Sequence, residues 1–235
     1  MVSTSSNRRL RAGGPALVAY HTRTVDPIRL GEVTSTQDVA RGLPVGSVVV
    51  ADHQTAGRGR LGRRWEAPPG SALLASFVLG SRPLASLAAG VAAARACGER
   101  VRLKWPNDLL LEGRKLGGIL VEVHGDTCVV GIGINLSWAP PGAAALGADR
   151  DRLLEGLGRE LRRWFAAPSE AVLAAWRERS DTLGRRVRVE LPGGDLEGVA
   201  EELAEDGSLI VAGTRVAAGE VIHLRADGAP ALTAG

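Results

Sequence analysis

Apolar positions along the chain fall into runs, alternations and helical repeats, and the changes between them mark out its elements. Residues 47–51 (SVVVA) and 71–79 (SALLASFVL) are nearly unbroken apolar runs, the pattern of strands buried on both faces. STQDVARGL sets Ser35 and Thr36 before Val39, Ala40 and Leu43, which predicts a short capped helix ending near Gly42. From about Arg82 to Ala96 the apolar residues Leu84, Leu87, Ala88, Val91 and Ala92 recur at helical spacing, with Pro83 at the start and Gly98 just past the end. RVRLKW, NDLLL, KLGGILVEV and TCVVGIGINL then follow across the turns EGR and HGD, which predicts an antiparallel meander. Two helices come next, with Leu153, Leu154, Leu157, Leu161, Trp164 and Phe165 on one face of the first and Val172, Leu173 and Trp176 on the second. At Gly184 the texture changes to short alternating strands with tight turns, the signature of a small barrel.

The expected organisation is therefore a polar N-terminal tail over 1–23, a main domain over 24–183 and a small C-terminal domain over 184–235. The fold class is α+β, a mixed and largely antiparallel sheet with helices, followed by a small β-barrel.

Composition narrows the classes of function. With 45% hydrophobic and only 3% aromatic residues among 235, an ordinary globular core must be filled by aliphatic side chains. The two cysteines, Cys97 and Cys128, lack metal-ligand spacing and suit a reducing cytoplasm better than a disulfide framework. No signal-peptide pattern and no apolar run of membrane-spanning length occurs. A net charge of +3 favours anionic partners without specifying nucleic acid. The use of basic residues is more pointed: of 29, only Lys104 and Lys115 are lysine. A chain that uses arginine almost everywhere keeps lysine where a compact, rotatable ammonium is needed. Gln37 and Gln54 are the only glutamines, and Asn107 and Asn135 are two of three asparagines.

The stretch with the densest chemistry is Gln54 to Trp65, QTAGRGRLGRRW, in which Arg58, Arg60, Arg63 and Arg64 are interleaved with Gly57, Gly59 and Gly62. A cationic, glycine-rich loop after a strand is suited to closing on an anion, and its backbone is costly to order, so it is expected to order on ligand binding. An RNA contact through GRGR is the competing reading, although one such element without an aromatic platform beside it is a poor RNA-binding surface. Two further ambiguities stay open at this level. Ser35 and Thr36 either cap a helix or offer hydroxyls and free N–H groups to a polar ligand. Gly117, Gly118, Gly131 and Gly133 either floor a site for a flat ligand or curve the sheet.

Together STQ (35–37), QTAGRGRLGRRW (54–65), KWPND (104–108), KLGGILVE (115–122) and GIGIN (131–135) resemble the biotin protein ligases, in order and spacing as well as in content. The resemblance extends through the C-terminal barrel. It implies a class II synthetase-like catalytic domain, a mixed seven-stranded sheet with helices on one side, and an SH3-like C-terminal domain. It also implies activation of biotin by MgATP to biotinyl-5'-AMP, then transfer to a lysine of a biotin carboxyl carrier protein or domain. By the same resemblance Ser35, Thr36, Gln37, Gln54, Arg58, Gly59, Arg60, Lys115, Gly117 and Gly118 hold biotin. Arg58, Arg60, Trp65, Lys104, Asn107, Lys115 and Asn135 serve ATP and the adenylate, and Mg²⁺ enters with ATP rather than at a protein metal site. Lys115 and Arg60 are the expected catalytic cations. Asp108 is either the base for the transfer step, held on a rigid strand edge behind Pro106, or a structural partner of Lys104. A lipoate ligase is the alternative within the fold. The N-terminal stretch is too short for a DNA-binding domain, so no DNA partner is expected, and the oligomeric state is left open.

Overall fold

The computed structural model describes residues 26–224, so the expected N-terminal tail and residues 225–235 lie outside the described residues. A seven-stranded sheet runs in the order β1-β2-β3-β7-β6-β5-β4. Its strands are β1 (Ile28–Val33), β2 (Val48–Gln54), β3 (Ala72–Gly80), β4 (Val101–Lys104), β5 (Asp108–Leu111), β6 (Arg114–His124) and β7 (Thr127–Asn135). Only β1 and β2 pair parallel; the rest is antiparallel. β1 was not predicted. Its residues IRLGEV form an edge strand that is largely exposed, so the apolar alternation that betrays a half-buried strand is missing.

The apolar alternation of the central strands fixes what each face carries. Leu73, Ala75 and Phe77 of β3 and Val130, Ile132 and Ile134 of β7 belong to the main core. Over them pack α2 (Ala85–Cys97), α3 (Arg150–Ala166) and α4 (Ser169–Arg179). Asp149 caps α3 by accepting from the Arg152 N–H at 2.9 Å, and Leu153, Leu154, Leu157, Leu161, Trp164 and Phe165 are all buried along its core stripe. The opposite face carries the functional elements. There the short helix α1 (Thr36–Ala40) packs Ala40 against Val49, Val78 and Val129, so the helices do not all lie on one side as expected.

A second, five-stranded antiparallel sheet follows: β8 (Arg186–Glu190), β9 (Leu196–Leu203), β10 (Leu209–Val211), β11 (Thr214–Val216) and β12 (Glu220–His223), in the order β11-β10-β9-β8-β12. The three-residue β11 was not predicted. This sheet is tied to the β4 edge of the first. Trp105, 2% exposed, donates its indole N–H to the Gly207 carbonyl at 3.0 Å, and its backbone N–H bonds Thr182 Oγ1 at 3.0 Å. His223, also 2% exposed, lies 3.3 Å from Thr182 Oγ1, and burial pulls its imidazole down to about 4.

Candidate active site

On the face opposite the three long helices is a cavity of about 440 Å³, within the range of small-molecule sites. α1, the loop after β2, and strands β5, β6 and β7 form its walls. One end is neutral. The Ser35 hydroxyl accepts from the Gln37 N–H at 3.3 Å, and Gln54 Oε1 accepts from both the Thr36 N–H at 2.7 Å and the Thr36 hydroxyl at 3.0 Å. Behind them Ser76 Oγ, wholly buried on β3, lies 2.8 Å from Thr36 Oγ1 and 3.1 Å from Gln37 Oε1. The helix-start N–H groups expected to face a ligand are thus bonded within the protein, and the hydroxyls and amides form a prearranged cradle.

The other end is charged. Lys115 Nζ sits 3.2 Å from Asp108 Oδ1, and Arg60 Nη1 donates to Asn107 Oδ1 at 3.4 Å. The Asn107 amide nitrogen is held by the Ile119 carbonyl at 2.8 Å. Burial lowers the pKa of Arg60, opposed by the Glu220 and Asp108 carboxylates. Burial also lowers that of Lys104, 6% exposed, where Asp108 and Glu220 again oppose it while Lys115 and Arg63 add to the lowering. Several cations thus crowd a partly dry site with two carboxylates between them. Cys97 and Cys128 take no part: burial raises their thiols to about 12 and about 11, so neither is a thiolate nucleophile at neutral pH.

The arginine loop closes over this cavity as a narrow turn. Gly59 N–H bonds the Arg63 carbonyl at 2.8 Å and Trp65 N–H bonds Gly57 at 3.0 Å. A Cβ on Gly57 would stand 2.3 Å from the Trp65 carbonyl oxygen, so only glycine permits this approach. At the tip, Leu61 at φ 54° and Gly62 at φ 75° reverse the chain through a single 3-10 turn over Arg60–Gly62. The Trp65 ring packs against β7, where a Cβ at Gly133 would come within 2.6 Å of it, and Gly131 leaves room in the same way for Gln37. Gly131 and Gly133 therefore seat protein side chains. Trp65 Nε1 and Arg58 Nε are buried donors with no acceptor among the described residues, the kind of atom a ligand oxygen satisfies.

A family model described as the biotin/lipoate A/B protein ligase family matches residues 29–137, and one described as the biotin protein ligase C terminal domain matches residues 182–224. A biotin–acetyl-CoA-carboxylase ligase of Mycobacterium tuberculosis is 40% identical over 215 residues, covering 77% of this chain and 80% of that protein. The chain belongs to the biotin protein ligase family. A bifunctional ligase/repressor BirA of Escherichia coli is 32% identical, with 78% of this chain and 64% of that protein covered. Among solved structures, a biotin protein ligase from Aquifex aeolicus in complex with biotin and ATP superposes with a TM-score of 0.73 at 28% identity, covering 85% of this chain and 98% of that one.

Within this biotin protein ligase chain, the cavity gathers Ser35, Thr36, Gln37, Gln54, Arg58, Gly59, Arg60, Trp65, Asn107, Asp108, Lys115, Gly118 and Asn135. Two of the predicted residues fall outside its lining. Gly117 faces the core, where a Cβ would meet the Gly133 carbonyl at 2.5 Å and the side chains of Ile134 and Leu109. Lys104 lies behind the lining, toward the second sheet. Other placements differ in detail. Asp108 opens β5, an interior strand rather than a sheet edge, and its ion pair is with Lys115 instead of Lys104. Asn135 turns its amide nitrogen to the Ala144 carbonyl at 3.0 Å, bracing the loop after β7. Arg58 directs both terminal nitrogens into ion pairs with Asp38 and Glu122.

Sequence reasoning missed Ser76 and Glu220. Ser76 left a trace, being the one hydroxyl inside an apolar strand and so in need of a buried partner. Glu220 left none. It reaches the cavity from β12 and pairs with Arg63 at 2.9 Å, a contact made only by folding one sheet against the other.

Proposed function

We propose that this chain activates biotin with ATP, giving biotinyl-5'-AMP and pyrophosphate, and then transfers the biotinyl group to a lysine of a biotin carboxyl carrier protein or domain. The observation that carries this reading is one cavity with a neutral hydrogen-bonding cradle at one end and a cluster of cations at the other. A carboxylate oxygen attacks the α-phosphorus of ATP as the bond to pyrophosphate breaks, so two anions must be brought together where further negative charge develops. Arg60 and Lys115 would neutralise that charge, with Lys104 adding a positive field from behind. The cradle of Ser35, Thr36, Gln37 and Gln54 would hold the uncharged ring system of biotin, and Trp65, Asn107 and Asn135 would shape the adenylate side.

Mg²⁺ would enter with ATP and supply Lewis-acid polarisation of the phosphates. No group of three or more His, Cys, Asp or Glu able to hold an ion occurs among the described residues, so phosphate oxygens would be its main ligands.

In the second step the amine of the acceptor lysine attacks the carbonyl of the mixed anhydride, AMP leaves, and the amine gives up a proton. A free lysine titrates near pH 10.4, so a carboxylate that takes the proton helps at neutral pH. Asp108 would be that carboxylate. Residues 24–183 would act as the catalytic unit, with 184–235 as a small domain that lends Glu220 to the site.

The test is to incubate the full chain with biotin or lipoate, ATP and MgCl₂ and to identify acyl-adenylates by mass spectrometry, then to add a biotin carboxyl carrier domain. Biotinyl-AMP from biotin, no lipoyl-AMP, and a biotinylated carrier lysine are expected. Lipoyl-AMP alone, or no adenylate from either acid, overturns the reading.

A further inference from the structure

Arg58 stands in the arginine loop beside Arg60, yet its guanidinium is engaged elsewhere. Nη1 lies 2.8 Å from Asp38 Oδ1, and Nη2 lies 3.2 and 3.4 Å from the two oxygens of Glu122. Arg41 completes the arrangement, 3.5 Å from Asp38 and 3.3 Å from Glu122. The four side chains form a closed ring in which every charge touches two of the opposite sign. An isolated exposed ion pair contributes little to stability, but a closed network in which one half-buried guanidinium bridges two carboxylates, its other members Asp38 and Arg41 being exposed, ties its parts into one geometry. The ring joins three parts of the cavity wall. Asp38 and Arg41 lie in and just after α1, which carries the neutral cradle; Glu122 lies on β6, the strand of Lys115; and Arg58 follows Gly57 in the loop after β2.

We propose that Arg58 is a positioning residue, which clasps the start of the loop to α1 and β6 through Asp38 and Glu122 and leaves Arg60 as the loop cation for the phosphates. The inference rests on the proposed ligase function. The clasp keeps the loop shut over the acyl-adenylate between the two steps, so its loss increases escape of the intermediate into solvent more than it slows formation.

The test compares the wild-type chain with Arg58→Ala, with Asp38→Asn/Glu122→Gln, with the triple combination, and with Glu122→Gln alone should the double variant fold poorly. Biotinyl-AMP formed and biotinyl-AMP released are measured separately, and the unfolding midpoint serves as a control. Release relative to formation is expected to rise roughly tenfold in the double variant and in Arg58→Ala alike, with less than about a twofold further rise in the triple variant, because groups in one network are not additive. A double variant that retains adenylate like wild type while Arg58→Ala does not, or losses that add fully, overturns the clasp and makes Arg58 a ligand contact. If the wild type forms no biotinyl-AMP the functional reading fails, and amide exchange over residues 57–65 then judges the clasp by itself. Faster exchange in the double variant supports it, and equal exchange overturns it.

Discussion

At the Ser35–Gln54 end of the cavity the polar groups are partnered among themselves, with Thr36, Gln37 and Gln54 bonded to one another and braced by Ser76. At the Lys115 end the cations of Arg60, Lys104 and Lys115 all lie near Asp108, and burial lowers the pKa of the first two. The neutral end spends its hydrogen bonds on shape, which suits recognition of a ligand whose charge does not change there. The charged end holds positive charge at a cost in desolvation, which incoming phosphates offset. Binding and chemistry are thereby assigned to different ends, and substitutions should separate KM from kcat accordingly.

The largest effect is expected at Lys115. Lys115→Ala should lower the rate of biotinyl-AMP formation by roughly 10²–10³, the scale of a lost oxyanion donor. Single-turnover synthesis with radiolabelled ATP checks this, and an unchanged rate would end the division of the cavity into two ends.

Asp108, in contact with Lys115, sharpens the comparison within the charged end. Asp108→Asn should slow transfer from preformed biotinyl-AMP to a carrier domain by about 10²-fold, the lower range for general base catalysis, and leave adenylate synthesis nearly intact. Proportional loss of both steps would make the Lys115 ion pair its whole contribution.

A third expectation concerns the junction on which the charged end leans. The pKa of His223 is about 4 in the fold, whereas unfolded it returns to an ordinary value near 6.5. Below that value the unfolded chain takes up a proton that the native state refuses. Stability contributed by the neutral, buried ring is therefore whole above about pH 6.5 and falls as pH drops toward 4, by about 2 kcal/mol at pH 5. Urea unfolding at pH 7.5 and pH 5 measures it, and His223→Gln should flatten that part of the pH dependence.

The smallest effect belongs to the neutral end. Ser76→Ala removes a hydroxyl that touches Thr36 and Gln37 without lining the cavity, and should raise KM for biotin about fivefold, the scale of one buried hydrogen bond, with kcat unchanged. A fall in kcat instead would show that the cradle also shapes the transition state.

The sheet, the three long helices and most of the site were legible because the signals lie in short stretches. Apolar runs and alternation locate β2, β3, β6 and β7, and the glycine–arginine, KWPND and KLGG segments carry their chemistry in adjacent residues. What was not legible depends on partners far apart in sequence. Nothing near Arg58 says that Asp38 and Glu122 will absorb its charge, and nothing near Glu220 says that it will meet Arg63. β1 escaped notice because an exposed edge strand needs no apolar alternation. The strand glycines could be read as a floor or as curvature, and only the placed Trp65 ring and Gln37 amide show what Gly133 and Gly131 accommodate.

The scarcity and seclusion of lysine has a consequence for the chain itself. Acyl-adenylates that escape an active site acylate whatever neutral amines they meet, and exposed lysines are the usual casualties. Here the only two lysine side chains in 235 residues are Lys104, 6% exposed, and Lys115, engaged by Asp108. The guanidinium groups of the arginines, used in place of lysine elsewhere in the chain, are far poorer nucleophiles than a neutral amine. A surface built this way is nearly inert to self-labelling by the mixed anhydride it is proposed to make.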